Sequence, residues 1–280
     1  MRLATIRTTN HTTRAVRIDG DRMFDIGFPD VGSLLVTTDW LDRAQSANEE
    51  IEPVDGRAYA PLIPNPGKIV CVGLNYRNHI LEMGRELPEY PTLFSKFADT
   101  LVGAEDDIVL PPETDEFDWE CELAVVIASP VRRATLAEAE RAIGGFSIVN
   151  DVTCRDWQFR TREWLQGKNW EATSPLGPHL VTPDELPGGT RPDVAISTSV
   201  DGETVQRDRT GDLLFDPVAL VAYISTIVTL RPGDVIATGT PGGVGHARKP
   251  PRYLAAGQRL VTEINGIGRC SNPIVKDSPR

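Results

Sequence analysis

The stretch Asp118-Trp119-Glu120-Cys121-Glu122-Leu123-Ala124-Val125-Val126-Ile127 decides the fold of this 280-residue chain. Its side chains alternate in the way typical of a β-strand, where successive side chains point to opposite faces. One face is apolar throughout, whereas the other begins with the carboxylates of Glu120 and Glu122. Neighbouring carboxylates repel each other, and burying either costs free energy unless a positive charge lies between them. The stretch therefore predicts a buried strand with an acidic end.

Two explanations of this acidic end remain open on the residues alone. The carboxylates either lie in water at a solvated strand end or bind a hard cation, which needs a third oxygen ligand. Asp151 is the candidate for that ligand, because it ends another strand-like run over residues 146–151. The sequence thus poses one question: whether Glu120, Glu122 and Asp151 hold a metal.

The composition is that of a globular protein with a hydrophobic core. Hydrophobic residues make up 40% of the chain, charged residues 25%, and the formal net charge is −11. Nucleic acid and anionic membranes are poor partners for so acidic a chain. Without a long apolar run or a signal-peptide pattern, we expect a cytoplasmic protein. The four cysteines and four histidines are too scattered to predict a zinc site.

The chain divides into a small N-terminal α+β unit, residues 1–60, and a larger part, residues 68–280. Residues 61–67 contain three prolines and a glycine and are expected to be a linker. One helix is expected over 136–143, closed by Gly144-Gly145, and another after Asp216 as N-cap with Pro217 first. Many strands, few helices and no regular alternation of the two predict an α+β, mainly β fold with a mixed sheet rather than a doubly wound one.

Several residues beyond the acidic cluster could take part in chemistry. His79 and Glu82 are three residues apart, so on a helix a carboxylate would orient an imidazole, although a capping or surface contact is the preferred explanation of the pair taken alone. Arg155 and Gln158 would lie along one face if the chain turns helical after Asp151. Lys168 follows a glycine and, taken alone, is an ordinary surface lysine.

A glycine-rich loop follows a strand at residues 238–245. It lacks the ending of a phosphate-binding loop, so nucleotide binding is a poor interpretation. Backbone N–H groups near Gly239 and the hydroxyl of Thr240 could approach a carboxylate, or the loop could be a plain β-turn.

In this order the motifs resemble those of the fumarylacetoacetate hydrolase superfamily, over about residue 66 to the C-terminus. The likeness is closest to the acylpyruvate hydrolase and 2-hydroxyhepta-2,4-diene-1,7-dioate isomerase branch. The matching motifs are Val72-Gly73-Leu74-Asn75-Tyr76 with His79 and Glu82, Glu120-x-Glu122, Asn150-Asp151-Val152-Thr153 with Arg155-Asp156-Trp157-Gln158, Lys168, and Thr238-Gly239-Thr240-Pro241.

The resemblance implies a mixed β-roll core, a homodimer, and Mg²⁺ or Mn²⁺ held by the three carboxylates. Three oxygen ligands without nearby histidine or cysteine suit such an ion independently. The resemblance further implies a water-activating dyad, an oxyanion-stabilising arginine and glutamine, a lysine and substrate contacts. The water-activating dyad falls on His79 and Glu82, and the oxyanion-stabilising arginine and glutamine fall on Arg155 and Gln158. The lysine is Lys168, and the substrate contacts fall on Tyr76, Gly239 and Thr240.

The implied reaction is hydrolysis of the carbon–carbon bond of a 2,4-dioxo acid, such as fumarylpyruvate, to pyruvate and a carboxylic acid in aromatic-compound catabolism. Oxaloacetate decarboxylation or isomerisation of a hydroxydienedioate could use the same site, and a non-catalytic protein binding a metal and a dicarboxylate is the alternative from another class. Two departures from the family pattern, Asn169-Trp170-Glu171 after the lysine and Cys154 before the arginine, leave the substrate's acyl group undetermined.

Overall fold

The computed structural model describes residues 1–10, 12–82, 84 and 86–277, and the side chains of Arg57 and Glu82 lie outside this description. The described residues form mixed sheets with short helices between the strands. The strands are β1 Arg2–Arg7, β2 Thr13–Asp19, β3 Arg22–Asp25, β4 Glu49–Ile51, β5 Ile69–Gly73, β6 Thr92–Lys96, β7 Leu101–Val102, β8 Ile108–Leu110, β9 Phe117–Asp118, β10 Cys121–Ile127, β11 Ile143–Asn150, β12 Thr153–Cys154, β13 Ser174–Val181, β14 Ala195–Val200, β15 Glu203–Arg209, β16 Val235–Ala237, β17 Arg259–Ile264 and β18 Gly268–Lys276.

The helices are short, and the longest is capped as the sequence predicts. The side chain of Asp216 accepts from the N–H of Ala219, and Pro217 begins that helix. None of the helices in the described ranges has the length and apolar character needed to cross a membrane. The helices are α1 Val31–Leu35, α2 Trp40–Ser46, α3 Arg77–Glu82, α4 Leu136–Ala142, α5 Arg155–Gln158, α6 Leu165–Lys168 and α7 Pro217–Ile227.

An eleven-stranded sheet and a five-stranded sheet form the framework. The large sheet has the order β4-β3-β2-β1-β13-β11-β10-β16-β5-β6, with β7 pairing with β13, and the smaller has the order β15-β14-β17-β18-β8. Most neighbours are antiparallel, but β16 runs parallel to β5 and β18 to β8. The predicted α+β, mainly β architecture with mixed sheets is therefore confirmed.

The strand β10 lies at the centre of the large sheet and separates two hydrophobic clusters. Leu123 and Val125 belong to the main cluster, which also contains residues of the smaller sheet and of α7, whereas Ala124 and Val126 belong to the cluster that contains residues of α1. This is the two-faced alternation that the sequence predicts. Burial on both faces holds β10 in one register, because a shift of one residue would exchange them.

Three expectations for the chain outside β10 need correction. Residues 61–67 do not form a free linker, because Leu62 and Ile63 are buried and the Leu62 N–H donates to the Leu176 carbonyl at 2.9 Å. The N-terminal residues are not a separate appendage, since β1 pairs with β13 and extends the large sheet. Gly144 and Gly145 do not close a helix but belong to β11, where a Cβ on Gly145 would lie 2.5 Å from the Val181 carbonyl oxygen.

Candidate metal and 2-oxo acid site

The three predicted metal ligands meet at the ends of β10 and β11. One carboxylate oxygen from each of Glu120, Glu122 and Asp151 lies within 4.8 Å of the others, and all three residues are buried. The Asp151 N–H donates to the Glu120 carbonyl and the Glu120 N–H donates to the Asn150 side chain, both at 2.9 Å. Sheet pairing therefore brings together residues 120 and 151.

Two lysines neutralise part of this acidic cluster. Lys168 Nζ, at the end of α6, lies 2.7 Å from Glu120 Oε2 and 2.8 Å from Asp151 Oδ2. Lys96 Nζ, at the end of β6, lies 3.0 Å from Asp151 Oδ1 and also donates to the carbonyl of Lys168. Both oxygens of Asp151 are thus contacted by ammonium groups, and Lys96 additionally fixes the backbone that carries Lys168.

Arg155, the first residue of α5, also contacts the acidic cluster. Its guanidinium contacts Asp118 Oδ2 at 2.8 Å and Glu120 Oε1 at 2.7 Å, and it donates to Gln158 Oε1 at 3.0 Å. Asp118 also accepts from the backbone N–H groups of Gly245 and His246, at 2.7 and 3.0 Å. The helix begins at Arg155 rather than at Asp151, but it places Arg155 and Gln158 together, as predicted.

These seven buried side chains form what we call the charged floor: Asp118, Glu120, Glu122, Asp151, Lys96, Arg155 and Lys168. Burial opposes their ionisation, but attraction between opposite charges outweighs it at three of them, Asp151, Arg155 and Lys168. Burial alone would lower the pKa of Lys168, yet Asp151 and Glu120 raise it above the ordinary lysine value. Burial likewise opposes ionisation of Asp151, but Lys168 and Lys96 lower the pKa of this carboxyl below its usual range.

Glu122 is the least compensated member of the floor. Burial, together with repulsion from Asp151 and Glu120, raises the pKa of Glu122 well above the usual carboxylate range. Its Oε2 accepts from the Gly239 N–H at 2.7 Å. Once Glu122 loses its proton, four carboxylates face three cations and the floor carries one negative charge in excess. These oxygen donors and this excess charge fit a hard divalent ion, so Glu120, Glu122 and Asp151 could hold Mg²⁺ or Mn²⁺.

A cavity of about 230 Å³ opens onto the charged floor. Glu120, Glu122, Arg155 and Lys168 contribute to its lining. The partly exposed residues around it, which we call the rim, are His79, Phe159, Trp164 and His246. Trp164 packs edge-on against Phe94, with ring centroids 5.6 Å apart, and a Cβ on Gly73 would lie 2.6 Å from the Trp164 ring. The glycine at position 73 therefore leaves the space that the indole occupies.

The cavity contains most but not all of the predicted substrate and catalytic residues. His79 lines it from α3, and Gln158 and Thr240 line it as well. The Glu82 side chain, the predicted partner of His79, lies outside the described residues. Gly239 contributes its N–H to Glu122 rather than a surface to the cavity, and Tyr76 is fully buried in the main hydrophobic cluster. Tyr76 is held there by a bridge to Leu213, and it is not among the residues that line the cavity.

Sequence reasoning missed several residues that shape the site. Lys96 ends the short strand β6, of which only Leu93 and Phe94 are apolar, so its sequence gives no sign that the lysine is buried against a partner. Asp118 stands two residues before Glu120, but nothing in the local pattern pairs it with Arg155. Gln206 bridges Thr240 Oγ1 and the Pro241 carbonyl, each at 2.9 Å, from β15. Such long-range partners depend on the tertiary fold.

Comparisons with known proteins agree with this fold and site. Residues 68–275 match the family described as fumarylacetoacetate (FAA) hydrolase C-terminal. The human mitochondrial oxaloacetate tautomerase FAHD2A is 41% identical over 235 residues, which is 83% of this chain and 74% of that protein. The fumarylacetoacetate hydrolase structure from Exiguobacterium antarcticum is 32% identical with a TM-score of 0.85, and covers 99% of this chain and 100% of that one.

A further solved structure is a maleylpyruvate hydrolase from Sphingobium sp. SYK-6 in complex with manganese(II) ion and pyruvate. It is 25% identical, has a TM-score of 0.80, and covers 99% of this chain and 100% of that one. The match over residues 68–275 means that the chain belongs to the fumarylacetoacetate hydrolase family, an enzyme family. The resemblance inferred from the sequence is thereby confirmed.

Proposed function

We propose that this chain is a divalent-metal-dependent enzyme that interconverts the keto and enol forms of a small 2-oxo dicarboxylic acid, with oxaloacetate as the substrate to test first. The proposal is supported by the charged floor, in which three carboxylates lie close together and the cations Lys168 and Arg155 pair with them at one end of a small cavity. The 41% identity to an oxaloacetate tautomerase supports this choice of reaction.

The residues of the floor suit an anionic substrate that develops further negative charge. A bound divalent ion would act as a Lewis acid that polarises the 2-oxo group. Lys168 and Arg155 line the cavity as permanent cations, because nearby carboxylates raise the pKa of each above its ordinary value, against the effect of burial. They would stabilise the negative charge of the enolate, which forms when a base such as the His79 imidazole at the cavity takes a proton from C3. Return of a proton to the enolate oxygen then gives the enol.

Hydrolysis of an acylpyruvate is the second candidate, and the position of His79 favours it. An imidazole at the cavity could remove a proton from water, which would then attack the distal carbonyl group. Arg155 and Gln158 would donate to the resulting oxyanion. The likeness to a maleylpyruvate hydrolase supports this candidate. Oxaloacetate decarboxylation and dienedioate isomerisation would use the same floor without an attacking water.

The metal ion, the assembly and the metabolic context of the reaction are also proposals. We propose Mg²⁺ or Mn²⁺ as the ion, a homodimer as the assembly and aromatic-compound catabolism as the context if the acylpyruvate reaction is the main one. A cytoplasmic location also stays a prediction, because the related tautomerase named above is mitochondrial.

The test compares three activities of the purified protein, two on oxaloacetate and one on acetylpyruvate, with Mg²⁺ or Mn²⁺ and with EDTA. Loss of the ultraviolet absorbance of enol-oxaloacetate measures tautomerisation, and coupled detection of pyruvate measures cleavage of oxaloacetate or of acetylpyruvate. We expect tautomerisation, measured as metal-dependent loss of the enol signal, to be the fastest of the three activities. The Asp151→Asn variant should be inactive. Faster pyruvate release from acetylpyruvate would favour the hydrolase, and absence of all three activities would contradict the proposed function.

A further inference from the structure

A second imidazole, that of His246, lines the cavity besides His79. Its backbone N–H donates to Asp118 Oδ2 at 3.0 Å, and its ring packs on Phe159 with centroids 5.3 Å apart. The side chain is 42% exposed, so a ligand that enters the cavity can reach it. His246 is therefore a polar group of the rim whose backbone is fixed to the charged floor.

The hydrogen bonds around His246 determine which ring nitrogen a ligand could meet. Nδ1 lies 3.0 Å from the Tyr253 hydroxyl. That hydroxyl can donate its one proton to Nδ1, and Nε2 then carries the imidazole proton and can donate it in a hydrogen bond to a ligand. The described residues provide no hydrogen-bond partner for Nε2.

The cations of the floor are already engaged by carboxylates. Lys168 pairs with Glu120 and Asp151, and Arg155 pairs with Asp118 and Glu120. The metal ligands and these cations suit the carboxylate and 2-oxo group at one end of a substrate. A second carboxylate at the other end of a dicarboxylic acid then needs a polar partner nearer the opening, and His246 is a cavity-lining residue of suitable chemistry there.

We infer that His246 determines substrate specificity by donating from Nε2 to the distal carboxylate of a 2-oxo dicarboxylic acid, with Tyr253 as a positioning residue. The inference rests on the proposed function, which it deepens by assigning the end of the substrate that does not react with the floor. It implies that dicarboxylic 2-oxo acids bind better than monocarboxylic ones of the same length.

The inference can be tested by calorimetric binding to the full-length, Mg²⁺-loaded protein. The ligands are 2-oxoglutarate and 2-oxopentanoate, which have the same carbon chain and differ in the distal carboxylate, and oxalate, which has no distal arm. The variants are His246→Asn, which keeps a polar atom near the position of Nδ1, His246→Gln, which keeps one near Nε2, and Tyr253→Phe. Lys249→Gln is the matched control for a polar substitution in this loop, because Lys249 is exposed there.

We expect His246→Asn to weaken 2-oxoglutarate binding about tenfold, the order expected for a hydrogen bond to a charged group, while 2-oxopentanoate and oxalate change less than twofold. His246→Gln should lose less, and Tyr253→Phe should fall between the wild type and His246→Asn. For oxaloacetate turnover, the loss in His246→Asn should appear mainly in KM rather than in kcat. Lys249→Gln should keep the wild-type preference.

Different failures have different meanings. Equal affinities of the wild type for 2-oxoglutarate and 2-oxopentanoate, with oxalate still bound, would overturn the inference and leave the proposed function intact. Loss of kcat without loss of dicarboxylate affinity in His246→Asn would also overturn it, since His246 would then transfer protons. Failure of the wild type to bind oxalate with Mg²⁺ would contradict the proposed function and the inference together.

Discussion

The charged floor and the rim of the cavity differ in how firmly the fold holds them. The side chains of the floor that form ion pairs are at most 9% exposed. The floor residues lie at the ends of strands or at the start or end of short helices. The rim residues are partly exposed and lie on α3 or in segments near α5, α6 and the loop after β16. This difference suggests that the floor determines the type of chemistry, whereas the rim determines which molecule undergoes it.

Removal of a metal ligand tests the floor most severely. Glu122→Gln and Asp151→Asn should lose Mg²⁺ and Mn²⁺ affinity by more than the roughly 10–100-fold that loss of a supporting partner costs, and turnover with it. Calorimetric titration with each metal measures this effect. Glu263→Gln, an exposed change on β17, is the control and should bind metal like the wild type. Wild-type affinity in Asp151→Asn would contradict the assigned ligand set.

Lys96→Met tests whether the floor depends on a residue that does not line the cavity. Removal of one partner from a buried ion pair leaves Asp151 less compensated, so we expect a loss of about 3–5 kcal/mol in the free energy of unfolding. Urea denaturation of the metal-free protein measures it. Lys276→Met, at an exposed position, should change stability little. An unfolding free energy equal to that of the wild type would show that Lys96 does not support the floor.

Proton competition at Glu122 tests the electrostatics of the floor. Because the pKa of Glu122 is raised, this carboxyl is protonated below that pKa, and the proton must leave before the group can bind a cation. Mg²⁺ affinity should therefore fall as pH falls, by up to about tenfold per pH unit. Calorimetry in buffers of different ionisation enthalpy should detect up to about one proton released per ion. A Mg²⁺ affinity that stays constant from pH 5 to pH 8 would contradict the raised pKa of Glu122.

Trp164→Phe should have the smallest effect, because it alters the rim and leaves the floor intact. Loss of indole surface beside Phe94 should raise the KM for oxaloacetate about threefold, the size expected for a partly exposed aromatic contact. Metal affinity should stay at the wild-type value, and Trp40→Phe, in α2 and outside the cavity lining, serves as the tryptophan control. A large loss of metal binding in Trp164→Phe would remove the distinction between floor and rim.

The parts of the site that could be predicted are those in which local pattern and function coincide. Glu120, Glu122 and Asp151 interrupt or end apolar strands, so their charge is conspicuous against the period of two. The α+β class and the helix after Asp216 follow from the same kind of pattern. Arg155 and Gln158 were predictable because they are three residues apart on a short helix.

The remaining features depend on contacts between distant segments. Lys96 and Asp118 gain their roles from partners 55 and 37 positions away in the sequence, at Asp151 and Arg155. The pairing of β1 with β13 joins residues 2 and 181, so the N-terminal unit looked independent when only its own pattern was considered. Tyr76 shows the converse, because its motif was recognised but its side chain serves the core.

Asp118 has a consequence for how the family could diversify. Its carboxylate accepts hydrogen bonds from the backbone N–H groups of Gly245 and His246 in the loop after β16. Every residue except proline has such an N–H group. The side chain at position 246 can therefore change without disturbing the anchor that also holds Arg155. Single substitutions at this position can therefore change substrate preference while the residues of the charged floor stay the same, so that one fold can come to act on different acids one substitution at a time.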